Sequence, residues 1–335
     1  PVELMQKYST DGVRFGMLLS SPAGNDLLFD EKHCEQGRNF ANKIWNAFRL
    51  ICSWKSEITP NPPHAHTQAV QWFKIKLQTT LIQIEDLYSK FRLSEAQMLL
   101  YKLIWDDFCS WYLEIVKPPF EKNIDEYTYC QTKHFFDQLM RLLHPFMPFI
   151  TEEIWQGLEQ RTPGDTICKA SYPQAEKFDE NQSFILDDFE QLSGLIASIR
   201  NFRNSKQISP KTSLILQIHA DRLSFYSNYS AILIKLGNLS AIEEKPVSQQ
   251  NISFMVGKDE FYIPLNETIN VEIERKNLMK EIEYLQGFLQ SVEKKLSNEK
   301  FIANAPAEVV ENERKKKSDA LAKIESLTKS LEHLS

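Results

Sequence analysis

The sequence predicts a mainly α-helical protein with three parts: an antiparallel helix bundle, a small α+β module and a C-terminal antiparallel coiled-coil hairpin. Three observations support this prediction. Apolar residues recur with helical spacing through most of residues 34–160, short alternating stretches follow, and a heptad pattern begins near residue 278. Only 10 glycines occur among the 335 residues, which disfavours most all-β folds and Gly-rich phosphate loops.

Residues 1–33 are predicted to form a short connector. Two helices are expected, over residues 1–8 and 11–19, and the turn-forming residues 20–26 are expected to form a loop. The chain opens with Pro-Val-Glu-Leu and has no initiator Met. We therefore expect it to be a piece of a longer polypeptide.

Residues 34–175 are predicted to form the helix bundle. Its helices are expected over residues 37–54, 67–89, 93–116, 124–143 and 149–159. Short breaks that contain proline separate several of them. Long helices joined by short breaks are typical of an antiparallel bundle.

Residues 176–269 are predicted to form the small α+β module. A strand over residues 213–219 is expected from alternating apolar residues, and a hairpin is expected around Gly257. The predicted hairpin strands are residues 251–256 and 260–265, and helices are predicted over residues 184–204 and 222–235.

Residues 270–335 carry the clearest periodicity. Apolar residues are spaced alternately four and three positions apart through Leu278, Ile282, Leu285, Leu289, Val292 and Leu296. A similar series, with Glu313 and Lys317 as polar intrusions, follows residues 297–306. Two heptad helices around a tight connection predict an antiparallel hairpin, with Pro306 in the first turn of the second helix.

The charge and cysteine content limit the possible functions. The net charge of −6 argues against a broadly basic nucleic-acid binder, so RNA contact would need local basic faces. The five cysteines form no C-x-x-C pair, which excludes a zinc ribbon and indicates reduced thiols of a cytoplasmic protein. No stretch approaches the roughly 18 apolar residues of a membrane span, so no membrane association is expected.

Three segments carry a resemblance to a known family. The first comprises DGVRF at residues 11–15, NDLLFD at 25–30 and GRNFANKIWNA at 37–47; the second is LHPFMPFITEEIW at 143–155. Both are similar to class I aminoacyl-tRNA synthetases for valine, isoleucine and leucine. The third, KLSNEKFIANAPAEVV at residues 295–310, resembles the C-terminal coiled coil of the valyl-tRNA synthetase family and favours valine.

This resemblance implies that the bundle is of the class I anticodon-binding type and binds the anticodon stem-loop of valine tRNA. It also implies that the coiled-coil arm binds the outer corner of the tRNA. The family's HxGH and KMSKS signatures are absent from the sequence. We therefore expect no catalytic residue, cofactor or activity in this chain, while ATP and Mg²⁺ belong to the parent enzyme. The expected partners are valine tRNA and the catalytic and editing domains of the same polypeptide, and the expected state is monomeric.

The candidate tRNA-binding residues fall in three places, each with a structural alternative. They are Arg38, Asn39, Lys43 and Asn46 on one bundle helix, Arg200, Arg203 and Lys206 at a helix end, and Lys294, Lys295, Lys300 and Arg314 on the arm. Arg38, Lys43 and Asn46 are expected near one helical side. Cations at a helix end also interact with the helix dipole, and charges on a coiled coil often form only a solvated face.

No metal site is predicted. His64 and His66 lie in a Pro-rich segment without two further ligands, and His144 is expected to be structural. Two alternative functions remain: the corresponding part of an isoleucyl or leucyl synthetase, and a coiled-coil scaffold. The scaffold would form dimers through residues 270–335 and would not bind RNA.

Overall fold

The computed structural model describes residues 2–22, 24, 26, 28–176, 183–246, 251–264, 271–297 and 307–333. These fall into two compact units, residues 1–190 and 191–335. The predicted connector and bundle thus belong to the first unit, and most of the α+β module belongs with the arm to the second. The mainly helical fold class is confirmed. Two residues for which the sequence makes a prediction, Lys300 and Pro306, lie outside the described residues.

The first unit is built almost entirely from helices. In chain order these are α1 (Val2–Tyr8), α2 (Thr10–Leu19), α3 (Glu31–Ser53), α4 (His64–Ser89), α5 (Leu93–Lys102), α6 (Leu113–Val116), α7 (Glu126–Leu143), α8 (Pro148–Leu158) and the start of α9 (Phe184–Ser205). A 3₁₀ turn, Ile167–Lys169, follows α8.

Helix α3 begins six residues before the position that its apolar pattern predicts. Asp30 caps it, because the Asp30 side chain accepts a hydrogen bond from the backbone amide of Lys32 at 2.9 Å. The early turns of α3 then pack closely against α2. A Cβ atom on Gly16 would lie 2.5 Å from the backbone nitrogen of Cys34, so only glycine permits this approach.

The core of the first unit is aromatic and joins three elements. The ring centroid of Phe73 on α4 lies 5.2 Å from that of Phe108 and 5.1 Å from those of Tyr112 and Phe135. All four side chains are buried. The Tyr112 hydroxyl is hydrogen-bonded to the hydroxyl of Thr132 at 2.8 Å, which satisfies both buried polar groups. Each buried ring contributes roughly 2–3 kcal/mol to stability.

The predicted helix over residues 93–116 is not a uniform α-helix. Its middle, Leu103–Tyr112, is a π-helix between α5 and α6. The apolar pattern did not predict this change, because the buried residues Ile104, Phe108 and Tyr112 are four positions apart, a spacing that also fits an α-helix. Extended π-helices are uncommon, and they occur frequently near functional sites.

A short parallel strand pair closes one end of the bundle. Strand β1 (Ser56–Glu57) follows α3 and pairs with β2 (Ile124–Asp125), which precedes α7. Neither strand was predicted, since residues 124–143 read as one helix. Asp125 is instead the N-cap of α7 and accepts a hydrogen bond from the amide of Thr128 at 2.8 Å.

The second unit contains a four-stranded mixed sheet. Its elements after α9 are β3 (Leu214–Ile218), α10 (Ala220–Asn228), α11 (Ser230–Gly237), β4 (Leu239–Glu244), β5 (Asn251–Val256) and β6 (Asp259–Pro264). The strand order is β4-β3-β6-β5, with β3 parallel to β4 and antiparallel to β6. The predicted β5–β6 hairpin is confirmed.

Two features of this unit differ from the sequence prediction. The helix expected over residues 222–235 is two helices, because Tyr229 leaves helical geometry between α10 and α11. Strand β4 was not predicted. It begins directly after Asn238, whose left-handed conformation (φ 50°) ends α11 and turns the chain back to pair with β3.

The arm is a hairpin of two long helices, α12 (Val271–Leu296) and α13 (Ala307–His333). Val292 of α12 and Val310 and Ala320 of α13 are buried, as the heptad pattern predicts. Ion pairs link the helices across the hairpin, with Lys295 to Glu313 at 3.6 Å and Lys317 to Glu293 at 2.9 Å. Each of the two polar intrusions in the heptad pattern, Glu313 and Lys317, therefore forms an ion pair with a residue of α12.

Among the described residues, none of the helices has the length and apolar character needed to cross a membrane.

Candidate nucleic-acid interface

A polar stripe on α3 carries three of the residues that the sequence singled out. Asn39, Lys43 and Asn46 are followed by Leu50 at spacings of four, three and four residues, so all four lie on one side of the helix. Asn39 and Asn46 are exposed. The stripe leads from the middle of α3 to its last turn.

Lys43 is oriented by the π-helix. Its ammonium group lies 3.4 Å from the Ser110 hydroxyl and 4.9 Å from the ring centroid of Trp105. This contact with the aromatic face fixes the side chain and leaves part of it exposed to solvent.

Arg38 does not share the side of α3 that carries Lys43, which corrects the expectation that they face together. Five residues place the two about 140° apart around the helix. Arg38 instead lies over the ring of Tyr8 at 5.5 Å and pairs with Glu35 at 3.4 Å. Its contacts are thus with α1 and with its own helix.

A cavity of about 530 Å³ lies where the stripe ends. The segment after α6 and the segment after α3 form its walls, and β1 and β2 hold these segments together. The lining residues are Leu50, Ser53, Trp54, Lys55, Lys117, Pro118, Pro119, Phe120, Glu121, Lys122 and Asn123.

The cavity combines positive charge with an exposed aromatic ring. Three lysines and one glutamate line it, and the side chain of Phe120 is 91% exposed. The loop is braced, because the side-chain amide of Asn123 donates a hydrogen bond to Glu57 at 3.0 Å and the Ile124 amide donates to the Lys55 carbonyl at 2.9 Å. A loop held in this way, with a flat ring beside lysines, suits an unstacked nucleotide base and its phosphate.

Sequence reasoning missed this cavity. Lys117, Pro118 and Pro119 directly follow the predicted helix over residues 93–116, and their sequence indicates only where that helix ends. The sequence signal for the cavity is Phe120, which follows two prolines and lies two residues before Lys122. An aromatic residue in such a short polar loop has no hydrophobic core to pack into, so its ring is expected to be exposed.

The side chain of Arg203, in the second unit, is used in hydrogen bonds within the fold. Its side chain is buried, at 6% exposure, and its guanidinium donates to four backbone carbonyls. The acceptors are the oxygens of Ser209 (3.3 Å), Thr212 (2.6 Å), Gly237 (3.1 Å) and Asn238 (2.7 Å). This arrangement favours a structural role, in which Arg203 ties the end of α9 to the turns before β3 and β4.

The other two cations of this helix end are more accessible. Arg200 is exposed and donates a 3.4 Å hydrogen bond to the Leu236 carbonyl, and Lys206 lies 6.0 Å from the ring centroid of Phe202.

A basic cluster lies on the arm, at the C-terminal end of α12 and in the first half of α13. It consists of Lys294, Lys295, Arg314, Lys315, Lys316 and Lys317. Three carboxylates neighbour it: Arg314 lies 3.8 Å from Glu311 and Lys316 lies 2.6 Å from Glu313, while Glu293 pairs with Lys317. Within the described part of the arm, no carboxylate lies within ion-pair distance of Lys294 or Lys315. The basic cluster therefore has a positive excess within a protein of net charge −6.

The segments that carry these features match two known family descriptions. The anticodon-binding domain of tRNA ligase matches residues 70–219, and the valyl tRNA synthetase tRNA binding arm matches residues 270–335. The valine–tRNA ligase of Porphyromonas gingivalis is 49% identical over 100% of this chain, and that of Parabacteroides distasonis is 47% identical over 99% of it. This chain belongs to the valine–tRNA ligase family.

The similarity to the valine–tRNA ligase family extends to more distant relatives. The enzyme of Geobacillus stearothermophilus is 34% identical over 100% of the chain. The chain spans 37% of the length of the Parabacteroides protein, 38% of the Porphyromonas protein and 39% of the Geobacillus protein. Residues 117–123 of the cavity lie inside the matched anticodon-binding domain, whereas α3 precedes it.

Proposed function

We propose that this chain is the tRNA-recognition part of a valine–tRNA ligase, in which the bundle binds the anticodon stem-loop and the arm binds the outer corner of the tRNA. One observation carries the proposal. Nearly the whole chain aligns with valine–tRNA ligases, and its matched segments are described as an anticodon-binding domain and a tRNA binding arm.

The geometry of the first unit supports a role in RNA recognition. Asn39, Lys43 and Asn46 lead along α3 toward the cavity beside Phe120. Amide side chains can form hydrogen bonds with base edges, lysines neutralise phosphates, and an exposed ring can stack on an unpaired base. Together these groups match the chemistry of a single-stranded loop such as an anticodon.

The arm supplies a second and different kind of contact. The cations of the basic cluster, Lys294, Lys295 and Arg314 among them, would meet the sugar-phosphate backbone rather than bases. Arg200 and Lys206 are proposed as further phosphate contacts. Binding one rigid RNA at two distant points raises the affinity, because the second contact forms at a high effective concentration.

The activity of the parent protein follows as part of the same proposal. We infer that it couples valine to its tRNA at the expense of ATP and releases AMP and pyrophosphate. ATP and Mg²⁺ would be held outside this chain, which contains neither an HxGH nor a KMSKS motif. The catalytic and editing domains of the same polypeptide, a monomeric state and a cytoplasmic location are also proposals.

The test is the binding of this chain to a valine tRNA transcript at one fixed salt concentration. We expect weaker binding when the anticodon is changed, and also when the triple substitution K294Q/R314Q/K315Q removes three charges from the basic cluster. The matched control K7Q/K90Q/R92Q removes three exposed charges from the first unit. If all RNAs and variants bind equally, or if none binds, the proposal fails.

The two alternatives have less support. The arm matches the valyl description, which disfavours an isoleucyl or leucyl enzyme. A self-associating scaffold would pair its helices between chains, but α12 and α13 pair within one chain through Lys295 and Lys317.

A further inference from the structure

A side-chain cluster with metal-ligating groups lies in the first unit and has no part in the proposed RNA contacts. His144 follows α7, Glu152 lies on α8 and Cys168 lies on the 3₁₀ turn. One nitrogen, one oxygen and one sulfur atom of these residues lie within 4.8 Å of one another. We propose that His144, Glu152 and Cys168 bind a Zn²⁺ ion.

Hydrogen bonding fixes the imidazole of His144 in the form that binds metals. The Thr151 hydroxyl donates its proton to the Met147 carbonyl at 2.8 Å, so its oxygen must accept from Nδ1 of His144 at 2.7 Å. The proton is then on Nδ1, and Nε2 carries the lone pair. Metal-binding histidines commonly donate their other ring N–H in this way.

Nε2, which carries the lone pair, points at a thiol. Nε2 of His144 lies 3.1 Å from Sγ of Cys168, a distance at which the thiol donates to the imidazole. When the metal binds, the thiol proton is released and the sulfur binds as thiolate.

Glu152 contributes the oxygen and braces the turn that carries the thiol. Its Oε2 accepts hydrogen bonds from the Thr166 hydroxyl at 2.6 Å and from the Ile167 amide at 3.1 Å. These bonds lie next to Cys168 and position the 3₁₀ turn against α8. Because Zn²⁺ would meet one thiolate and one carboxylate, its charge would be balanced.

The distances leave room for the ion after a small adjustment. Zn–N and Zn–S bonds of about 2.1 and 2.3 Å in tetrahedral geometry separate the two ligand atoms by about 3.6 Å. The sulfur of Cys168 must therefore move by about half an ångström from Nε2. Cys168 is exposed, so its side chain can move and water can reach the fourth position.

The nitrogen, sulfur and oxygen donors favour zinc over magnesium or calcium, which prefer oxygen ligands alone. With three protein ligands and one open position, the ion would join the turn between α7 and α8 to the segment after α8. Ion binding would therefore stabilise the first unit.

The experiment uses the whole chain, stripped of metal with a chelator and titrated with Co²⁺ and then with Zn²⁺. We expect one Co²⁺ per chain with a thiolate-to-cobalt charge-transfer band in the near ultraviolet, which Zn²⁺ removes. Zn²⁺ should also raise the melting temperature. C168S should abolish the band and weaken Zn²⁺ binding at least tenfold, whereas C130S, which changes another exposed cysteine of the same unit, should preserve both.

The proposal is overturned if the wild-type chain gives no thiolate band, or if C168S retains it. Because Cys168 is exposed, C168S is expected to fold, and its circular dichroism and melting curve without metal should match those of the wild type. E152Q provides a second measurement: it keeps the size of the side chain but removes the anionic ligand, and it should weaken Zn²⁺ binding.

Discussion

The carboxylate of Asp11 accepts a hydrogen bond from the backbone amide of Ile150 at 2.7 Å, although 139 residues separate the two. Its other oxygen accepts from the amide of Phe149 at 3.3 Å. Asp11, in the first turn of α2, thus caps the N-terminus of α8 from across the bundle. Burial raises the pKa of Asp11, while the two amides act in the opposite direction.

The Asp11 cap makes α2 necessary for the stability of the bundle. D11A should lower the free energy of unfolding by about 2 kcal/mol, because two backbone amides lose a charged acceptor. Chemical denaturation of the chain measures this change. The control D26A removes an exposed aspartate nearby in sequence and should change stability by less than about 0.5 kcal/mol. Equal effects of the two substitutions would contradict the assigned role.

Arg203 should be essential for the stability of the second unit. R203K should lower the unfolding free energy by about 3 kcal/mol, because an ammonium group cannot reproduce the planar fork that serves four carbonyls. The comparison variant R200K, at an exposed position of the same helix, should have little effect on stability. Thermal unfolding checks both, and a mild effect of R203K would argue against this role.

Asp107 should make the stability of the first unit depend on pH. Burial raises its pKa from the usual 3.8 to about 6, although Lys76 lies 3.6 Å away and opposes the rise. The neutral form is therefore preferred in the folded state. Its contribution to stability is complete below pH 3.8 and is lost as the pH rises through about 6.

The substitution D107N should remove this pH dependence. Relative to wild type, its unfolding free energy should increase between about pH 4 and pH 8 by at most about 3 kcal/mol. Denaturation curves at several pH values measure the difference. D106N removes the same charge from an exposed neighbour and should show a much smaller trend. If D107N and wild type vary in parallel, Asp107 is not the group responsible.

Phe120 should contribute to RNA affinity without contributing to folding. F120A should weaken binding of valine tRNA by roughly 5- to 100-fold, the effect of one lost stacking contact. Its melting temperature should be unchanged, since the ring is exposed, and F120W should restore affinity. The matched control is F91A, which removes a ring of 83% exposure between α4 and α5. Equal affinities of F120A and wild type in a binding titration would exclude the cavity as a base site.

Part of the candidate interface could be predicted from spacing alone. Asn39, Lys43 and Asn46 share one side of α3 because a helix brings residues three and four positions apart together. Arg38 was assigned to the wrong side of the helix, because it lies five residues from Lys43 and an interval of five places two residues about 140° apart. The cavity beside Phe120 could not be predicted, because it depends on β1 pairing with β2 across more than sixty residues of sequence.

The sequence by itself determined the helical bundle, the β5–β6 hairpin and the two-helix arm. Each depends on a repeat or a turn within a short stretch of chain, and apolar side chains at that spacing must be buried together. Only the tertiary structure decided the π-helix, the structural use of Arg203 and the meeting of His144 with Cys168. Those features arise where residues distant in sequence compete for hydrogen bonds and space, and no local pattern records the outcome.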